Sequence, residues 1–212
     1  MAEPMGERGR FITVEGQDGA GKTTNLERIE RLVRSAGYEV LRTREPGGTA
    51  LGDEIRRLVL HRRDLQIDEM AELLLIFAAR AQHLAAVIRP ALAAGTWVVC
   101  DRFTDATYAY QGGGRGIDFA VIAELEQRVQ GDLRPDLTFL LDVDTDTGAK
   151  RASGEDRFES QEAGFKEGVR QAYLARARAE PRRVKVVDAA RALALVEEEV
   201  ESILRQYIDS LK

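Results

Sequence analysis

The chain has 212 residues, 44% of them hydrophobic and 32% charged, the balance of one globular unit with a sizeable core rather than a disordered chain. Acidic residues outnumber basic ones, 36 against 31, and the formal charge of −5 excludes a general nucleic-acid binder. One cysteine, Cys100, excludes an internal disulfide and points to a reducing compartment; with a polar N-terminus and no evident stretch of membrane-spanning length, the expected location is the cytoplasm, with no membrane partner.

Phe11–Glu15 is a short β-rich run that ends in glycine. A helical period follows from Thr23, with Leu26, Ile29 and Val33 on one face and Gly37 placed to end it. Tyr38–Thr43 predicts a second strand, and Glu45-Pro-Gly-Gly48 breaks the chain. Helical patterns resume over Leu51–Leu60 and Asp68–Ala94, where Pro90 marks a kink or a first turn. Thr96–Cys100 is nearly all apolar, as a strand covered on both faces must be. Asp118–Gln130 predicts a helix, Leu137–Val143 and Val184–Val187 two further strands, and Ala192–Leu211 the last helix. A short helical stretch follows the fourth strand and ends at Lys150 and Arg151. Lys150–Glu162 is charged and nearly without large apolar residues, the composition of a lid.

Strands alternating with helical crossovers predict an α/β fold in three layers, a parallel sheet with helices on both faces. Ligands of such sheets gather at the carboxyl ends of the strands. After the first strand, Gly16-Gln17-Asp18-Gly19-Ala20-Gly21-Lys22-Thr23, followed by Thr24, satisfies G-x-x-x-x-G-K-[ST] between a strand and a helix. Its glycines let backbone N–H groups turn toward phosphates. Lys22 then reaches the β- and γ-phosphates, and Thr23 is placed to hold Mg2+. The third strand leads into Asp101-Arg102, an acid suited to Mg2+ and a planar fork of donors for a phosphoryl group. His61 and His83 stand apart from any Cys/His cluster, which argues against zinc. Cys100 and Trp97 read as packing residues.

Arg44-Glu-Pro-Gly-Gly48 and Asp101-Arg-Phe-Thr-Asp-Ala-Thr107-Tyr-Ala-Tyr110-Gln111-Gly, with the phosphate loop, resemble thymidylate kinases from Phe11 to the last helix. The resemblance implies a P-loop NTPase-type fold with five parallel strands in a single domain, 1–212, with a short lid near 150–162. It implies ATP as donor, thymidine monophosphate (dTMP) as acceptor, Mg2+ as cofactor, and a homodimer. Residue by residue, Asp18 matches the acid near the sugar 3′-hydroxyl. Arg56 and Arg102 match the arginines of the dTMP phosphate, with Arg44 close by. Arg80, Thr107 and Gln111 match residues that hydrogen-bond thymine, and Tyr110 one that crowds the sugar 2′ position.

The sequence departs from that pattern twice. An aromatic residue usually stands four positions before the thymine-binding arginine; here Ile76 holds that position and Phe77 lies three before Arg80, leaving stacking and core packing both open for Phe77. The lid is shortened and lacks arginines common in its middle, while Gly19 supplies no cation from the phosphate loop. Arg157 is therefore expected as the principal lid cation, restrained beforehand by Asp156 or Glu159, and Arg151 as the partner of the adenine face. A deoxynucleoside kinase and a binding-only nucleotide switch are the competing readings. Arg44, Arg56 and Arg102 weigh against the first; intact Lys22, Thr23 and Asp101 weigh against the second.

Overall fold

The computed structural model describes residues 8–62, 64–151, 157–158 and 161–211. Five strands form one parallel sheet: β1 (Phe11–Glu15), β2 (Val40–Arg44), β3 (Trp97–Asp101), β4 (Leu137–Asp142) and β5 (Val184–Asp188), in the spatial order β2-β3-β1-β4-β5. β1 lies at the centre, where Thr13 pairs Cys100 on one side and Thr138 on the other. All five residues of β1 are buried, which is why its sequence does not alternate with polar residues.

The alternation of β1 divides the core. Ile12 and Val14 face α1 (Lys22–Ser35) and α9 (Leu193–Asp209), packing with Leu26, Ile29, Val200 and Leu204. Phe11 points to the other face, where Leu84, Ile88, Leu92, Val98 and Phe103 surround it. Glu15 lies on that second face as well and meets Tyr173 of α8 (Ala163–Ala179).

The crossover from β2 to β3 carries α2 (Ala50–Arg56), α3 (Glu69–His83) and α4 (Arg89–Ala93). Thr49 and Asp68 cap the first two with side-chain oxygens, as their sequence positions require. A π-helical turn, Leu84–Ile88, joins α3 to α4, so Glu69–Ala93 is one helical run. That run is long and apolar enough to cross a membrane, contrary to the sequence expectation, yet half of its most apolar stretch is buried inside the fold. Pro90 falls at the junction of that π-helical turn with α4, inside the continuous run, where it has no N–H to give to the helical ladder.

Two stretches are helical that the sequence pattern did not mark. α5 (Thr104–Thr107) continues as a π-helical turn over Tyr108–Gly114 before α6 (Phe119–Gln130). α7 (Thr145–Arg151) is the short helix expected after β4, and α8 is the second unmarked one. α8 packs closely on the π-helical turn because glycines face each other there. A Cβ on Gly113 would come within 2.4 Å of the Gly168 carbonyl oxygen, and one on Gly168 within 2.3 Å of the Gly113 oxygen.

Candidate active site

The phosphate loop leaves β1 and enters α1 through Gly16, Gly19 and Gly21, each with positive φ. At Gly19 a side chain would also collide, since a Cβ would lie 2.3 Å from the Gly148 oxygen and 3.0 Å from Arg151 Cβ. The C-terminal end of α7 therefore rests on the loop, and only glycine permits that approach. Gln17 Nε2 donates to the Lys166 carbonyl at 2.6 Å and ties the loop to α8. Ala20 is buried in the core, and Thr24 lies in the first turn of α1.

Lys22 Nζ donates to the carbonyls of Gln17 at 2.9 Å and Gly16 at 3.2 Å, and approaches Asp18 Oδ1 at 3.5 Å. Burial and then the Arg102 charge pull its ammonium below the usual lysine range, with Asp18 and Asp101 opposing them. For Asp18, burial pushes the carboxyl up, but Arg102 and Lys22 together hold it well below the usual carboxylate range. Asp18 is thus an anion at neutral pH, wedged between two cations.

Arg102 is the one non-glycine residue with positive φ among the described residues, at 66°. Its Nη2 donates to Asp18 Oδ1 at 2.6 Å, Tyr110 Oη at 3.0 Å and the Gly16 carbonyl at 3.3 Å. The guanidinium also lies 5.0 Å from the Tyr110 ring centroid. Glu15 holds the peptide that follows, its Oε1 accepting from Phe103 N at 2.7 Å. Burial and neighbouring Asp105 push the Glu15 carboxyl up to about 8, against the opposing pull of Tyr173, Phe103 N–H and Arg102.

Beside Arg102 lies a cavity lined by Glu45, Pro46, Leu60, Ile76, Arg80, Arg102, Phe103, Ala106, Thr107, Tyr110, Gln111 and Phe158. Five residues expected at the acceptor, Arg80, Arg102, Thr107, Tyr110 and Gln111, are brought together here. Arg80 is buried; its Nε donates to Glu45 Oε2 at 2.7 Å, and its Nη2 to Thr107 Oγ1 at 2.9 Å and the Phe103 oxygen at 3.2 Å. Its Nη1 is buried with no hydrogen-bond partner. Glu45 in turn meets His83 Nδ1 at 3.0 Å, and His83 Nε2 meets Thr43 Oγ1 at 2.7 Å.

Phe77 is not on this wall. It packs with Leu73, Tyr108 and Ile122 in the core, its ring 4.9 Å from the Arg80 guanidinium, while Ile76 faces the cavity. One helical position turns a side chain by about 100°, enough to move Phe77 from cavity to core. Aromatic surface at the cavity comes instead from Phe103, Tyr110 and Phe158.

Arg44 stands in an open cleft shared with Thr23 and Asp101, and pairs with Asp53 at 3.3 Å. Arg56 Nη1 donates to the Pro46 carbonyl at 3.0 Å, at the rim of the cavity. Asp101 Oδ1 is buried without a hydrogen-bond partner. One orphan carboxylate oxygen and the Thr23 hydroxyl beside the phosphate loop suit Mg2+, which takes few protein oxygens and completes its shell with phosphate and water. No cluster of three or more His, Cys, Asp or Glu able to hold a metal occurs among the described residues.

The two lid arginines point apart. Arg151 Nη1 and Nη2 donate to the carbonyls of Ala189 at 2.8 Å and Ala190 at 3.3 Å, beyond β5. Arg157 donates to Glu72 of α3, and its backbone N–H to the Leu60 carbonyl at 3.0 Å. Asp156 and Glu159, expected as its restraints, lie outside the described residues. Glu72 was not singled out from the sequence, although its spacing to Ile76 and Arg80, four and eight residues on, places it on their helix face.

A phosphate loop on the central strand, an adjoining acid for magnesium and a second cavity joined to the loop by an arginine define the P-loop phosphotransferase class. The comparisons narrow this. The thymidylate kinase family matches residues 14–200. A thymidylate kinase of Pseudomonas syringae pv. syringae (strain B728a) is 54% identical over 204 residues, covering 95% of this chain and 97% of that protein. One from Ectopseudomonas mendocina (strain ymp) is 52% identical over 207 residues, covering 96% and 99%. The crystal structure of thymidylate kinase from Ehrlichia chaffeensis superposes with a TM-score of 0.77 at 36% identity, covering 93% of this chain and 99% of that one. The chain belongs to the thymidylate kinase family.

Proposed function

We infer that this chain transfers the γ-phosphoryl group of ATP to dTMP, giving dTDP, with Mg2+ as cofactor. The activity follows from family membership together with a site that has separate places for donor and acceptor. The observation that carries the assignment of residues is Arg102, whose one nitrogen touches both the phosphate-loop Asp18 and the cavity Tyr110. A cation at that boundary faces the group in transit from both sides.

In this reading the loop N–H groups and Lys22 hold the donor phosphates, and Arg102 orients the acceptor phosphate for in-line attack. Arg44 and Arg56 flank that phosphate, Asp18 and Tyr110 border the sugar, and Arg80, Thr107 and Gln111 meet the base. Thr23 and Asp101 are the residues that would hold Mg2+, whose chemistry there is to neutralise charge on the donor phosphates. Arg151 serves the adenine side, and Arg157 fastens the lid on the acceptor side through Glu72. Calorimetric titration of dTMP tests the division of labour: Lys22→Ala is expected to lose turnover yet keep dTMP affinity, whereas Arg102→Ala loses both. Unchanged dTMP affinity in Arg102→Ala would refute its double role.

A homodimer in the cytoplasm completes the reading. Leu51 on α2, Met70 and Leu74 on α3, and Phe119 and Val121 on α6 are exposed on helices that pack side by side, a surface suited to a second copy. Light scattering of the chain and of Leu74→Lys checks this, with a dimer and a weakened dimer as the expected results.

A further inference from the structure

Glu72 is fully buried on α3 and faces donors from three side chains. Gln111 Nε2 donates to its Oε1 at 3.0 Å. Arg115 donates through Nε at 3.3 Å and Nη2 at 3.2 Å, and Arg157 donates to Oε2. A side-chain amide has one donating end and one accepting end, and only the donating end can meet a carboxylate flanked by arginines. The orientation of Gln111 is thereby fixed by chemistry: nitrogen toward Glu72, carbonyl oxygen toward the cavity that Gln111 lines.

Arg80 supplies the opposite polarity on the same wall. Its Nε and Nη2 are engaged, and its buried Nη1 has no hydrogen-bond partner. A donor from Arg80 beside an acceptor from Gln111 complements the O4 and N3–H edge of thymine or uracil. Cytosine presents the reverse, an N4 amine beside an unprotonated N3. Turning the Gln111 amide over would suit cytosine better and thymine worse.

We propose that Glu72 is a specificity-determining positioning residue: by holding the Gln111 amide nitrogen it makes the acceptor site read N3–H and reject cytosine nucleotides. The proposal rests on the placement of the base against Gln111 and deepens it. A buried site built for a hydrogen bond discriminates strongly against a ligand that leaves its polar groups unpaired.

The test compares kcat/KM for dTMP and dCMP in the unaltered enzyme, Glu72→Gln and Gln111→Leu. Glutamine at position 72 can present either end to Gln111, so the dTMP-to-dCMP preference is expected to fall about 10-fold or more. A merely structural role would lower both substrates together, and an unchanged ratio in Glu72→Gln overturns the proposal. Gln111→Leu separates the two levels: an unchanged ratio there means that the base does not sit against Gln111 at all. A ratio that collapses in Gln111→Leu alone removes only the role of Glu72. Should Glu72→Gln not fold, a dTMP-bound crystal structure of the unaltered enzyme decides. Gln111 is expected to bridge Glu72 and the base N3, and a side chain detached from Glu72 overturns the proposal.

Discussion

Tyr173 Oη donates to Glu15 Oε2 at 2.9 Å, joining α8 to the end of the central strand one residue before the phosphate loop. The other oxygen of Glu15 accepts from Phe103 N, the peptide after the left-handed Arg102. One buried carboxyl thus connects the donor loop, the arginine at the acceptor and a helix behind both.

That carboxyl gives the protein a pH signature. Burial, then Asp105, push Glu15 up to about 8, whereas the unfolded chain ionises it in the ordinary carboxylate range. Between those values the folded state holds more protons than the unfolded one. The Glu15 contribution to stability therefore falls as pH rises through that window and levels off above about 8. Glu15→Gln, which cannot ionise, is expected to gain on the unaltered protein as pH rises. Denaturant unfolding of both proteins from pH 5 to 8.5 checks this, and a constant difference between them contradicts it.

The two lid arginines should separate in kinetics, because Arg151 contacts the loop after β5 and Arg157 contacts α3. Arg151→Ala is expected to raise the KM for ATP with a smaller effect on dTMP. Arg157→Ala should lower turnover and weaken dTMP while leaving the KM for ATP nearly unchanged. Identical profiles for the two variants would contradict their separate placement.

Gly113→Ala tests the close packing of α8 on the π-helical turn. The added Cβ would stand 2.4 Å from the Gly168 oxygen and 2.5 Å from Ala172 Cβ, so α8 must move away. Overpacking of this kind costs about 1–3 kcal/mol, and calorimetry should show Tm lower by several degrees. Gly116→Ala meets no atom within 4 Å, so its cost comes from its positive φ rather than from crowding.

The sheet was legible because each strand is a short apolar run bounded by turn residues. The phosphate loop was legible because its chemistry depends on consecutive residues. α8 was not: its buried residues are Val169, Ala172, Tyr173 and Ala177, and its Gly168 looks like a breaker while acting as a contact. Tyr108–Gly114 escaped for the same reason, since three glycines in a row argue for a loop until α8 is placed against them. Phe77 shows a different limit. Both residues 76 and 77 lie on the Arg80 side of α3, and only the packing of α6 decides which one meets the cavity. Glu72 is polar in the first turn of a capped helix, where an acid usually faces solvent; Arg115 and Arg157 reach it from distant segments.

Arg102 is placed to hold the phosphate of a nucleoside monophosphate acceptor, and the choice of acceptor tests that role most directly. Coupled ADP release with ATP and Mg2+ should be supported by dTMP, reduced with dUMP, and negligible with thymidine or with no acceptor. The missing methyl of dUMP limits its penalty to about 1–3 kcal/mol in transition-state binding, whereas thymidine lacks the group that Arg102 is placed to hold. Thymidine turned over as fast as dTMP would contradict the assignment of the cavity as a monophosphate site.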